Sequence, residues 1–173
     1  LLNSGVVNII KGPSGVGKST FLKTIIETLQ AQDDWNYNLK EMTSYLPQDP
    51  VTLLTTFQQN ILMGKSDRGK LLSEDFEEIG LNRKWVKTFD ESISNDKMIV
   101  SGGEAQRIAL LRCLYNQEKK IFLLDEPTSA LDPKFEDRVA SLIEAVARRG
   151  NFVIVVSHTE LKIDKNYLRE IYI

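Results

Sequence analysis

The sequence predicts an α/β domain built on a mostly parallel sheet, on three observations. Strand-like runs alternate with helical periodicity along most of the chain. Residues 121–124 and 152–156 are apolar at consecutive positions, as in strands covered on both faces. A glycine-rich turn separates the first strand from the first helix.

The first strand is expected at residues 6–11, and the turn after it leads into a helix that opens at Lys18 and runs through 21–29. A second strand is expected at 43–46. The stretch from 50 to 100 differs in texture: short helical patterns at 57–63 and 73–79 are interrupted by charged and glycine-containing segments, and 65–70 reads as a solvated loop. A helix from 101 to about 115 precedes a strand at 120–125. Phe135, Val139, Leu142, Ile143 and Val146 then recur at helical spacing behind Pro133, which predicts a helix over 134–149 with one face on the sheet, ended at Gly150. Strands at 151–157 and 170–173 complete the order.

At 173 residues, 42% hydrophobic and 27% charged, the chain suits one domain with a core large enough to fold. Its net charge of −2 is spread without a basic stripe, so nucleic acid is not an expected partner. The single cysteine, Cys113, lies in an apolar helical stretch and reads as core. No apolar run approaches the roughly 20 residues that span a bilayer. Eleven residues precede the glycine-rich turn and the first is Leu1, from which a trimmed N-terminus is expected.

The turn itself, Gly12-Pro13-Ser14-Gly15-Val16-Gly17-Lys18-Ser19-Thr20, has the G-x-x-x-x-G-K-S spacing of a phosphate cradle between strand and helix. Glycines let backbone N–H groups converge on an anion, and the helix start adds its positive dipole end. Lys18 suits the β- and γ-phosphates, Ser19 a Mg²⁺ ion and Thr20 the α-phosphate. Asp125 and Glu126 end the strand 120–125, where open α/β sheets bind ligands. Asp125 can hold Mg²⁺, through water, and Glu126 can orient or deprotonate an attacking water. A second helix start, Ser101-Gly102-Gly103, offers another anion-facing end.

Val100-Ser101-Gly102-Gly103-Glu104-Ala105-Gln106-Arg107, Ser129-Ala130-Leu131-Asp132 and Val155-Val156-Ser157-His158, with Gln48 in Leu46-Pro47-Gln48-Asp49-Pro50, resemble the motifs of ATP-binding cassette (ABC) ATPases in the family order. The resemblance covers nearly the whole chain. It implies a single ABC domain over 1–173, with a P-loop NTPase core at 1–49 and 101–173, a helical subdomain at 50–100 and a reduced antiparallel β part. It also implies that Gln48 touches Mg²⁺ and the attacking water, and that His158 contacts the γ-phosphate and ties it to Glu126. Ser101, Gly102, Gly103, Glu104 and Asp132 would serve the nucleotide across a head-to-tail dimer, with ATP and Mg²⁺ as ligands.

The segment 57–64 after Gln48 resembles exporter cassettes. This implies ATP hydrolysis coupled to transport, a second cassette in a homodimer or heterodimer, a transmembrane partner docking near 48–64, and a place at the cytoplasmic membrane face. The alternatives are a soluble non-transport ABC ATPase of DNA repair, chromosome or ribosome, and a nucleotide-gated clamp with little hydrolysis. Where the family usually has leucine and glutamine the signature carries Val100 and Glu104, and the residues before the phosphate loop contain no aromatic to stack on adenine.

Overall fold

Each expected strand is present, and β1 (Val7–Lys11), β2 (Thr43–Leu46), β3 (Ile121–Asp125), β4 (Phe152–Val156) and β5 (Leu168–Tyr172) join one sheet in the order β2-β3-β4-β1-β5. The computed structural model describes residues 2–31, 39–53, 55–63, 79–81, 100–115, 118–129 and 131–173. Every strand pairing among them is parallel, with Val7 opposite Val153 and Leu168, Ile121 opposite Phe152, and Thr43 opposite Ile121. The antiparallel part therefore contributes no strand among the described residues. The helical pattern at 73–79, apart from Ile79, and the loop at 65–70 lie outside them.

Parallel strands with apolar residues at consecutive positions need cover on both faces, and they have it. On one face Val7, Ile9, Leu46, Phe122, Leu124, Val153 and Val155 pack with α3 (Phe57–Leu62), α4 (Gly102–Leu114) and α5 (Pro133–Arg148). On the other, Ile10, Leu123, Ile154 and Val156 meet Leu22, Ile25 and Ile26 of α1 (Lys18–Ala31). A four-residue helix, α2 (Leu39–Met42), which no sequence pattern announced, leads into β2. The polar Asn8 in the middle of β1 is fully buried because its amide is satisfied, donating to Asn3 O at 2.8 Å and Val153 O at 2.9 Å.

Helix α5 buries Val139, Ile143 and Val146 and begins with Pro133 in its first turn, as its periodicity requires. β5 begins two residues earlier than expected; as an edge strand it is only half covered, so its apolar pattern is weak. Cys113 is buried in α4, and desolvation pushes its thiol up to about 12, which leaves it an inert core residue.

Two contacts bind the segments after β2 to the helical layer. Arg112 of α4 donates from Nε to Asn60 O at 2.6 Å, from Nη2 to Asn60 Oδ1 at 2.9 Å and from Nη1 to Val51 O at 3.0 Å. The buried Asn60 in turn holds Leu53 and Thr56 through its amide. Gly80, at φ +79°, sits against Phe135 of α5, and a Cβ there would stand 2.3 Å from the ring. Gly80→Ala is expected to cost roughly 2–5 kcal/mol, from left-handed strain plus overpacking, read as a lower denaturant midpoint at unchanged slope.

Candidate active site

The chemistry-bearing residues gather at the C-terminal edge of the sheet, since β1, β2, β3 and β4 run parallel and deliver their following loops to the same side. Ser14, Gly15, Gly17, Lys18, Ser19, Thr20, Gln48, Glu126, Val156 and His158 line a cleft of about 290 Å³. A second cavity of about 350 Å³ also borders His158 and is lined by Lys11, Gly12 and 157–160.

The phosphate loop takes its shape from two different uses of glycine. Gly15 and Gly17 have φ of +80° and +103°, which an L side chain rarely adopts. Gly12 has ordinary backbone angles, and its demand is space: a Cβ would lie 2.6 Å from Ile173 O at the end of β5. Val16 N–H donates to Pro13 O at 3.4 Å across the turn. Phe21 N–H bonds Gly17 O at 2.8 Å as the helix begins, so the N–H groups of Lys18, Ser19 and Thr20 precede the helical ladder and remain for an anion. Lys18 is buried, and its ammonium donates to Gly12 O at 2.9 Å and Pro13 O at 2.8 Å, so the loop holds its own cation over the cleft.

Ser19 Oγ donates to Asp125 Oδ1 at 3.0 Å, which brings together two oxygens 106 residues apart in sequence. Burial pushes the Asp125 carboxyl above its usual range, opposed by the Ser19 hydrogen bond and by Lys23. A hydroxyl and a carboxylate side by side form a hard oxygen pair of the kind Mg²⁺ accepts when substrate phosphates and water complete its shell. Among the described residues no cluster of three or more His, Cys, Asp or Glu makes a full protein cage.

Glu126 is 6% exposed and non-glycine at φ +51°. Its Oε2 accepts from His158 N–H at 3.2 Å, while Oε1 is buried without a hydrogen-bond partner, 3.6 Å from His158 Nε2. Burial raises the Glu126 carboxyl, the His158 backbone N–H lowers it, and Asp125 adds to the rise. An unpartnered carboxylate oxygen beside a phosphate cradle suits a water molecule, and the residues present fit a polyphosphate with a hard divalent cation.

Ser101, Gly102, Gly103 and Glu104 stand outside this cleft at the start of α4, and Asp132 is exposed at the start of α5, beside Lys134. Ser101 and Glu104 form a reciprocal cap: Ser101 Oγ accepts from Glu104 N–H at 3.3 Å and Glu104 Oε2 accepts from Ser101 N–H at 3.0 Å. Glu suits this cap as well as Gln, so the departure at 104 keeps the local structure. Gln48 is exposed on the bend after β2. Gln106 and Ser129, to which the motifs assign no role, both donate to the main-chain carbonyl of Glu126.

Comparison with known proteins bears on the family and the fold. Residues 1–129 match the ABC transporter family. The mating factor M secretion protein of Schizosaccharomyces pombe is 34% identical over 94% of this chain and 13% of its own length. The ABC transporter I family member 17 of Arabidopsis thaliana is 35% identical over 93% of this chain and 65% of its own. The structure of a bacterial Atm1-family ABC exporter with ATP bound superposes with a TM-score of 0.69 at 26% identity, over 89% of this chain and 30% of that one. The chain thus spans from about an eighth to nearly three quarters of the length of the relatives it matches. With the family match covering residues 1–129 and the fold shared with an ABC exporter, this chain belongs to the ABC transporter family.

Proposed function

We propose that this chain is the ATP-binding and ATP-hydrolysing part of an exporter, with its P-loop core at 1–49 and 101–173 and a helical subdomain at 50–100. The observation that carries the reading is the buried, unpartnered Oε1 of Glu126 on the cleft lined by Lys18 and Ser19. Lys18 neutralises the β- and γ-phosphates, and the N–H groups of Lys18, Ser19 and Thr20 fix their direction. Ser19 and Asp125, with Gln48 at the cleft edge, would hold Mg²⁺, which when bound would offset the charge developing on the phosphates. Glu126 orients a water for in-line attack on the γ-phosphorus. As the new P–O bond forms, the bond to the bridging oxygen breaks, ADP departs, and the water's proton passes to Glu126. His158 holds one carboxylate oxygen through its backbone and closes the other side with its ring.

Ser101, Gly102, Gly103, Glu104 and Asp132 lie outside the chain's own cleft, which supports a second cassette facing it head to tail. The exposed Val51, Leu53 and Met63 in the segment that follows Gln48 support a transmembrane partner docking near 48–64. Among the described residues no helix is long and apolar enough to cross a membrane, which is in keeping with a separate or attached membrane domain at the cytoplasmic face. The likeness to a secretion protein and an exporter supports export.

Mg-ATP hydrolysis per chain, measured over a range of protein concentrations, tests this reading. A specific rate that climbs with concentration supports it, and a rate independent of concentration removes the dimer. Ser101→Arg is expected to leave ATP binding to the monomer within about twofold and to cut turnover by on the order of 10² or more, the scale for losing a positioned transition-state donor. Equal loss of binding and turnover would place Ser101 in its own chain's site.

A further inference from the structure

We propose that Gln106 is a positioning residue that holds Glu126 in its left-handed backbone conformation and ties that conformation to helix α4; the proposal rests on the reading of Glu126 as the general base. A non-glycine residue at φ +51° is strained, and Pro127 immediately after it favours extended backbone at 126. Such a conformation persists only where the surroundings over-determine it.

The constraints are visible. Glu126 N–H donates to Val156 O at 2.9 Å, and its carbonyl accepts from Ser129 N–H at 3.2 Å and Ser129 Oγ at 3.0 Å. Those partners come from the adjoining strand end and the turn that follows Glu126. Gln106 differs: it is 3% exposed, belongs to α4, and donates from Nε2 to the same carbonyl at 3.2 Å. Among the described hydrogen bonds to this carbonyl, it is the one that carries the position of a separate helix to the peptide plane following Glu126.

The helix concerned starts at Ser101. Gln106 lies five residues on, about 7.5 Å along the axis at helical rise, so a shift of the Ser101 end carries to the Glu126 carbonyl through little more than one rigid turn. Tilting that peptide swings the Cα–Cβ bond of Glu126 and with it the unpartnered Oε1. Gln106 therefore acts on turnover through Glu126 and not on nucleotide affinity, because its side chain donates to the Glu126 carbonyl and, among the described hydrogen bonds, to neither the phosphate loop nor the Ser19–Asp125 pair.

The test uses Gln106→Met in the full chain, a swap of similar length that removes the donor. The expected result is a kcat lowered about 10- to 100-fold, the scale for misplacing a reacting group by roughly an ångström, with fluorescent-ATP affinity and unfolding midpoint near wild type. In a Glu126→Gln background the same change is expected to leave the residual rate within about twofold. Wild-type kcat in Gln106→Met, parallel loss of affinity and stability, or an equal further loss in the Glu126→Gln background each overturns the proposal. A crystal structure of Gln106→Met adds a readout free of turnover. Departure of residue 126 from positive φ supports the proposal, and retention of the wild-type value overturns it. Absence of any Glu126-dependent hydrolysis in wild type would instead remove the reading of Glu126 as base, with the backbone result still deciding the role of Gln106.

Discussion

Glu126→Gln is expected to slow ATP turnover by on the order of 10² or more while ATP binding is kept, because a positioned base contributes on that scale. Gln retains the shape and, with its amide oxygen in the place of Oε2, the acceptor that takes the His158 N–H, and it cannot accept a proton from water. The pH profile gives a second signature. Burial holds the Glu126 carboxyl above the ordinary glutamate range, and a base works only when deprotonated. Wild-type kcat should therefore fall with decreasing pH along an acid limb placed above that range, and the limb should be missing from the variant. Turnover in Glu126→Gln within about threefold of wild type would end the assignment.

The same shift makes a statement about stability. A carboxyl whose folded pKa is raised binds more protons folded than unfolded, so its contribution to stability is full below the unfolded pKa and is lost as pH rises through the folded one. Asp125 and Glu126 are both raised by burial, so at neutral pH each costs the nucleotide-free fold. Glu126→Gln should accordingly raise the thermal midpoint in the absence of ATP, by a gain on the order of 0.5–2 kcal/mol typical of relieving a strained functional site. Lost turnover with a raised midpoint separates lost chemistry from damaged folding.

Lys18→Met is expected to weaken ATP binding by about 10- to 150-fold, the equivalent of roughly 1.5–3 kcal/mol for one hydrogen bond to a charged group, and to remove turnover. Met keeps the buried stem of a residue that is 5% exposed and deletes only the ammonium. That ammonium also spans Gly12 O and Pro13 O, so the loop loses the donor that draws its two carbonyls together. Lys18→Arg should not restore binding, because a planar fork cannot replace a compact point charge between two carbonyls and a phosphate. Titration with a fluorescent ATP analogue checks both variants; affinity within about twofold of wild type in Lys18→Met would mean that the backbone N–H groups alone hold the phosphates.

Much of the fold was legible because its signals are local. The apolar runs at 121–124 and 152–156, the helical spacing behind Pro133 and the glycine turn before Lys18 each involve neighbours a few residues apart, and their elements formed within two residues of expectation. The main boundary error, the start of β5, falls on the edge strand, where burial imposes the weakest pattern. The candidate residues of the cleft were legible for the same reason, since the phosphate loop and the Asp125-Glu126 pair are contiguous stretches.

Other features depend on pairs that are distant in sequence. That Ser19 meets Asp125, that Gly12 is needed for room beside Ile173 and not for a positive φ, that Gly80 must admit the Phe135 ring, and that Gln106 reaches the carbonyl of Glu126 are all contacts across elements. Residue type and spacing determined the strands, the helices and the chemistry available at each turn, because backbone preference and hydrophobic period act over a few residues. The strand order, the strained backbone at Glu126 and the group that holds it there were decided only by tertiary structure, since a side chain acquires a distant partner only when packing of the sheet and its helices brings the two within hydrogen-bond reach.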